Sequence, residues 1–161
     1  MHVRSLEPAD VPAVAELFTE TVRSVNARDY TPEQVEAWAP RPPDVAAWAR
    51  SFAGRTALVV EVDGEVAGFG DLAPGGYLDR LYVHRDHQGR GVATALADAL
   101  EAEAARHGAA EVTADASITA LPFFERRGYE TVARQEKDLR GVRFINYRVR
   151  KPLDSYPRVV L

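Results

Sequence analysis

Leu81-Tyr82-Val83-His84-Arg85-Asp86-His87-Gln88-Gly89-Arg90-Gly91-Val92-Ala93 decides the reading of this chain. An apolar, aromatic strand runs into a short polar loop. A Gln-Gly-Arg-Gly turn follows, and then an alanine-rich helix, predicted from Val92 to His107. Glycines at a strand-to-helix turn let backbone N–H groups converge, because no side chain blocks the approach. The helix adds its positive end at the same place. The turn is therefore suited to an anion such as a pyrophosphate. Two familiar phosphate loops do not fit. A P-loop needs Gly-Lys-Ser/Thr, and no lysine stands here. A dinucleotide fingerprint needs a third glycine, where this chain has Thr94 and Ala95.

Gln88-x-x-Gly91-x-Ala93 does match the Arg/Gln-x-x-Gly-x-Gly/Ala motif that binds the acetyl-CoA pyrophosphate in the GNAT superfamily of N-acetyltransferases. The resemblance runs on through the chain. Arg4 to Ala15 resembles the family's opening strand and first helix. Tyr77 to Val83 resembles its fourth strand and Glu111 to Ala114 its fifth. Ala120 to Tyr129 resembles its A-x-x-F-Y-x-x-x-G-F/Y block. Within the family the chain looks most like the YafP-type branch, through Asp29 to Gln34 with Trp38, Tyr77-Leu78-Asp79, Asp115 to Arg126, and Asn146-Tyr147. The resemblance implies an α/β (α+β) GNAT fold: a mixed, mostly antiparallel sheet of about seven strands flanked by helices. The fourth and fifth strands would splay apart to hold the acyl-CoA. It also implies a domain over 1–151, leaving 152–161 as a C-terminal tail.

Composition sets the outer bounds. A length of 161 residues points to one domain with a sizeable core. With no cysteine, disulfides, thiolate metal sites and a Cys nucleophile are excluded. The N-terminus shows no signal-peptide pattern, and no apolar run approaches the roughly 20 residues of a membrane span. These features predict a cytoplasmic protein without a membrane partner. A formal net charge of −4 argues against nonspecific nucleic-acid binding and mildly favours a cationic acceptor.

The remaining elements follow from local signals. Val3 to Leu6 reads as a strand. Asp10 is a candidate N-cap for a helix carrying Val11, Val14, Leu17 and Phe18 inward. Thr31-Pro32-Glu33-Gln34 is a capping box with proline at the first helical position. Pro42-Pro43-Asp44 opens a short helix with Val45, Trp48 and Phe52 inward. Asp63-Gly64 joins strands Thr56 to Val62 and Val66 to Leu72 as a hairpin. Ile118 to Arg127 reads as a helix stopped by Gly128. Tyr129 to Lys137 and Arg143 to Arg150 alternate like an antiparallel pair. The apolar end Val159-Val160-Leu161 fits either a loose tail or a homodimer contact.

Acetyl transfer to an amine needs a held thioester, a neutral acceptor and a tolerated thiolate. The resemblance assigns the backbone of Leu81, Tyr82 and Val83 to the pantetheine arm, with a bulge there splaying the strands. It assigns the backbone from Gln88 through Gly89, Arg90, Gly91, Val92 and Ala93 to Thr94 to the pyrophosphate. The Arg90 side chain either adds a charged contact or is solvated. An alkylamine of pKa near 10.4 costs roughly 4 kcal/mol to deprotonate at neutral pH. Asp79 is the candidate base, where many family members carry Glu. Alternation puts it on one face with Tyr77. Its other reading is an ion-pair partner for an arginine such as Arg80 or Arg143. The family's usual general acid is a tyrosine at the position of Phe124, which has no proton to give. Unassisted thiolate departure forfeits roughly 2 kcal/mol. Tyr147, Tyr77, Tyr82 or water remain as donors. Ser117 stands where many relatives have Asn, within reach of the cofactor's arm. Tyr30 and Trp38 are walls for an acceptor pocket or packing residues. Phe69, Phe123 and Phe124 would limit acyl length. His84 and His87 lack a third ligand type, so no metal site is expected. The expectation is therefore direct attack of a small-molecule or peptide amine on acetyl-CoA. A sensor that binds acyl-CoA without catalysis, and a transferase for longer acyl chains, are the alternatives.

Overall fold

The computed structural model describes residues 1–153. Seven strands form one sheet: β1 (His2–Ser5), β2 (Thr56–Val62), β3 (Glu65–Ala73), β4 (Tyr77–Val83), β5 (Glu111–Ala116), β6 (Glu130–Leu139) and β7 (Val142–Pro152). Their spatial order is β1-β2-β3-β4-β5-β7-β6. Every neighbouring pair is antiparallel except β4 and β5, which are parallel. A parallel pair needs a crossover, and the helix α4 (Val92–Arg106) supplies it. This is the mixed, helix-flanked sheet expected from the sequence.

The α4 helix packs on one face of the sheet. Leu96 and Leu100 share a cluster there with Leu58, Val60, Leu72, Leu78 and Val83. The opposite face carries α1 (Val11–Ser24) and α3 (Val45–Ser51), with Val14, Leu17, Trp48 and Phe52 around Val59 and Phe69. Two glycines of β3 let α4 lie close. A Cβ at Gly68 would come within 2.7 Å of Val92 Cγ1, and one at Gly70 within 2.9 Å of Leu100 Cδ1.

Local chemistry explains most element ends. Thr31 Oγ1 accepts from the Gln34 amide, and Gln34 Oε1 accepts from the Thr31 amide, so the capping box starts α2 (Pro32–Trp38) as expected. Asp44 caps α3 through the Ala47 amide. Asp10 departs from expectation. Its carboxylate binds the Glu7 amide and Arg4 instead of capping α1, because a 3-10 turn over Pro8–Asp10 precedes the helix. Val45 is exposed, since α3 buries only the stripe containing Trp48. The helix α5 (Leu121–Arg126) begins later than Ile118, because Ser117 Oγ accepts from the Ala120 amide and holds a turn ahead of Pro122. β7 runs through Pro152, and the Leu153 amide donates to Ala110 O. The rest of the expected tail, including Val159-Val160-Leu161, lies outside the described residues.

The irregularity in β4 bears on function. Leu72 opposes Leu78, but Asp71 opposes Arg80, so Asp79 is an extra, bulged residue. A bulge re-phases alternation. Leu78, Leu81 and Val83 therefore all reach the α4 cluster, while Tyr82 packs on the other face against Phe69 and Phe18. The bulge was expected at Leu81 to Val83; it stands two residues earlier.

Candidate active site

The β4–β5 pairing ends at Leu78↔Ala114, immediately before the bulge. Beyond it the two strands separate and a cleft of about 780 Å³ opens between them. The alternation of the β3–β4 ladder decides which backbone groups face it. His84 N donates to Ala67 O, which places Tyr82's amide and carbonyl on Phe69 and turns those of Leu81 and Val83 toward the departed β5. Val83 O is then held by Thr21 Oγ1 at 3.1 Å and Gln88 Nε2 at 2.6 Å.

At one end of the cleft stands the glycine turn. Gly89 and Gly91 have φ of 70° and 82°, a region that side chains with a Cβ avoid. Gly91 occupies the N-cap of α4 and brings no side-chain cap. The first intrahelical bond runs from the Ala95 amide to Gly91 O. The amides of Val92, Ala93 and Thr94 thus lack intrahelical acceptors, and all three residues line the cleft with Gln88, Gly89 and Gly91. The Gln88 side chain points back to the strand end, leaving the backbone to meet an anion. These features suit an anion such as a pyrophosphate.

The other end is aromatic. Tyr30, Trp38 and Phe144 form a cluster with ring centroids 5.0 to 6.1 Å apart. All three line the cleft with Tyr82. Tyr30 Oη accepts from the Ile118 amide. Burial pushes the Tyr30 and Tyr82 phenols up. The hairpin of β6 and β7 is tied down here, with Gln34 Nε2 donating to Arg143 O and Arg140 to Ala37 O.

Two carboxylates reach the cleft between these ends. Asp79 pairs with Arg55, not with Arg80 or Arg143. Arg55 also leans on Asp71, which is 0% exposed and which Arg80 binds through two nitrogens. Arg80 lies between Trp48 and Phe52, its Cζ 5.1 and 4.4 Å from their ring centroids. Arg143 is taken by Glu136. Asp115 accepts from Tyr77 Oη at 2.9 Å, Gln135 Nε2 at 2.7 Å and Arg148 Nε at 2.6 Å. Burial pushes the Asp115 carboxyl up, but these three donors outweigh it and hold it below the usual range. Burial and the Asp115 charge together raise the Tyr77 phenol.

The fold brings nearly all the expected residues to one place. Asp79, Tyr77, Leu81, Tyr82, Val83, Ser117, Phe124, Tyr30 and Trp38 line the cleft with the glycine turn. Arg90 is exposed and stands outside the lining. Tyr147 also stands outside it, packed against the main core. Phe123 and Phe124 line the cleft, but Phe69 is buried on the far face of the sheet. Thr21, Asn26, Asp115 and Lys137 line it without having been singled out, because only the tertiary fold carries the first helix and the last hairpin to the slot. Asp115 had one visible signal, an acid set between two alanines in a strand. Among the described residues no group of acids and histidines is placed to hold a metal, and no helix is long and apolar enough to cross a membrane.

Known proteins place this geometry. The family described as the acetyltransferase (GNAT) domain matches residues 26–151. The chain is 33% identical over 150 residues to the uncharacterized N-acetyltransferase YafP of Escherichia coli K12, covering 93% of this chain and 95% of that one. It superposes on a GCN5-related N-acetyltransferase of Rhodopseudomonas palustris with TM-score 0.91 and 37% identity, covering 94% and 95% of the two chains. YncA of Salmonella typhimurium, a putative acetyltransferase solved with acetyl-CoA, shares the fold at TM-score 0.73 and 21% identity, over 97% and 95% of the chains.

Proposed function

The chain belongs to the GNAT acetyltransferase family, and from that footing we propose that it moves the acetyl group of acetyl-CoA to a primary amine of a small molecule or peptide by direct attack. The observation that carries this reading is the parting of β4 from β5 beside the uncapped start of α4. An open strand edge and free helix amides are what a pantetheine arm and a pyrophosphate require.

Bound acetyl-CoA supplies an activated thioester. The chain supplies the rest. The amides of Val92, Ala93 and Thr94, with the Gln88–Gly91 turn, hold the diphosphate. The open backbone of Leu81 and the open Val83 amide hold the arm and the acetyl carbonyl, while the Val83 carbonyl is taken by Thr21 and Gln88 and the Tyr82 amide is spent on β3. Asp79, thrust into the cleft by its bulge, accepts the amine proton directly or through water, and Arg55 positions it. Tyr77, fixed by Asp115, is the oriented hydroxyl nearest this end of β4. The neutral amine attacks the thioester directly, without a covalent enzyme intermediate: the chain has no cysteine and no serine with an evident activating base. Phe124, 3% exposed, supplies packing at the usual acid position, so the thiolate leaves to water at a cost of roughly 2 kcal/mol.

Calorimetric titration with acetyl-CoA, followed by CoA release across an amine panel, tests the proposal. Micromolar binding with amine-dependent release is expected. Tight binding without turnover across the panel would replace the transferase with a non-catalytic acyl-CoA-binding protein. Faster turnover with a longer acyl donor would change the donor but keep the site.

A further inference from the structure

Lys137 of β6 stands directly opposite Phe144 of β7. Opposed residues of an antiparallel pair share a face. Phe144 packs against Tyr30 and Trp38, and Lys137, Leu139, Phe144 and Asn146 all line the cleft. The Lys137 ammonium therefore belongs to the aromatic, acceptor end. The acids beside it in sequence, Glu136 and Asp138, alternate to the opposite face, where Glu136 meets Arg134 and Arg143.

The carboxylates that line the cleft are already answered, while Asp29, next to Tyr30 but outside the lining, accepts from the Thr119 hydroxyl. Arg55 and Arg80 answer Asp79 and Asp71, and Arg148 answers Asp115. Among the described residues no carboxylate pairs with Lys137. Two cations of the cleft lining thus have no carboxylate partner among the described residues, Arg126 on α5 and Lys137, and Lys137 is the one opposite Phe144 at the aromatic wall, against the trend of a chain whose net charge is −4. A diamine or polyamine would set its second ammonium against Lys137. A singly charged carboxylate would balance it, whereas a phosphate dianion would leave a charge over.

Resting on the transferase reading, we infer that the acceptor is an amine that also carries a carboxylate beside an apolar body, as in an aromatic or branched amino acid. Lys137 pairs with the carboxylate, and Tyr30, Trp38 and Phe144 take the apolar part.

Matched acceptors test this. CoA release is measured for acids and their primary amides, among them phenylalanine, leucine and 4-(aminomethyl)benzoate. Wild type, Lys137→Gln and Lys137→Glu are compared, with acetyl-CoA affinity measured for each. Wild type should favour the acid over its amide by roughly tenfold in kcat/KM, the worth of one charge-assisted hydrogen bond. Lys137→Gln should erase that ratio, and Lys137→Glu should invert it. Equal use of acid and amide by wild type would overturn the inference, as would a preference for diamines, while the transferase reading stands. An acid preference that survives Lys137→Gln, with weakened acetyl-CoA binding, would move Lys137 to the cofactor end and overturn it too. Acetyl-CoA binding with no release for any amine would instead sink the transferase reading itself.

Discussion

Gly68→Ala should loosen the seat of α4 and weaken acetyl-CoA binding through it. An added Cβ would sit 2.7 Å from Val92 Cγ1, 3.1 Å from Tyr82 O and 3.2 Å from Leu96 Cδ1. Carbon atoms in contact prefer about 3.5–4.0 Å, so Val92 must retreat by roughly an ångström. Val92 and Leu96 are 1% and 0% exposed, which leaves neither room to swing out. Overpacking of this kind costs about 1–3 kcal/mol. Replacing glycine within a strand returns roughly 0.5–1 kcal/mol. The net loss is about 1–2 kcal/mol, or a fall in Tm of roughly 2–8 °C for a chain of this size. Val92 directly follows Gly91, so its retreat displaces the amides that meet the diphosphate. Thermal unfolding and acetyl-CoA calorimetry would be run on Gly68→Ala, Val92→Ala and the double variant. The double variant should be more stable than the sum of the single effects by about 1 kcal/mol and should regain affinity relative to Gly68→Ala. Effects that add within about 0.5 kcal/mol would refute the proposed clash. Lost stability with unchanged affinity would refute the link between the helix seat and the anion turn.

Asp79→Asn should lower turnover far more than acetyl-CoA affinity, and equal loss of both in steady-state kinetics and calorimetry would remove its role as base. Gly91→Val should cut acetyl-CoA affinity at least tenfold; nothing lies within 4 Å of an added Cβ, so the loss arises from the left-handed backbone, worth roughly 1–2 kcal/mol, and from crowding of the bound anion. Unchanged affinity would refute the anion turn. The lowered Asp115 carboxyl contributes stability that is fully present above about pH 4 and is lost as pH falls through its folded value. Asp115→Asn should therefore be less stable than wild type at pH 7 and lose less on acidification, which urea midpoints at pH 7 and pH 3 would show.

The signals legible in the sequence were those that act over a few residues. The capping box at Thr31–Gln34, the Asp63-Gly64 hairpin and the glycine turn before α4 each depend on neighbours along the chain. They appear in the structure where the sequence placed them. Asp79 was visible as an acid in an apolar strand, but its partner was not. Arg55 lies 24 residues away, and which of several arginines reaches it depends on how α3 and the β2 start pack beside β4. The bulge was misplaced for the same reason. Strand alternation sees only one strand, and a bulge is a mismatch between two.

The sequence by itself determined the order of elements, the sheet-and-helix architecture and the anion-binding turn, because caps, turns and hydrophobic periods are short-range and additive. Only the tertiary structure decided where β4 and β5 part, which backbone amides of β4 stay open, and how the charges cancel at the acceptor end. Those properties belong to pairs of distant segments. The uncompensated Lys137 exists only because the last hairpin folds across the mouth of the cleft while Asp79 and Asp115 find arginines elsewhere.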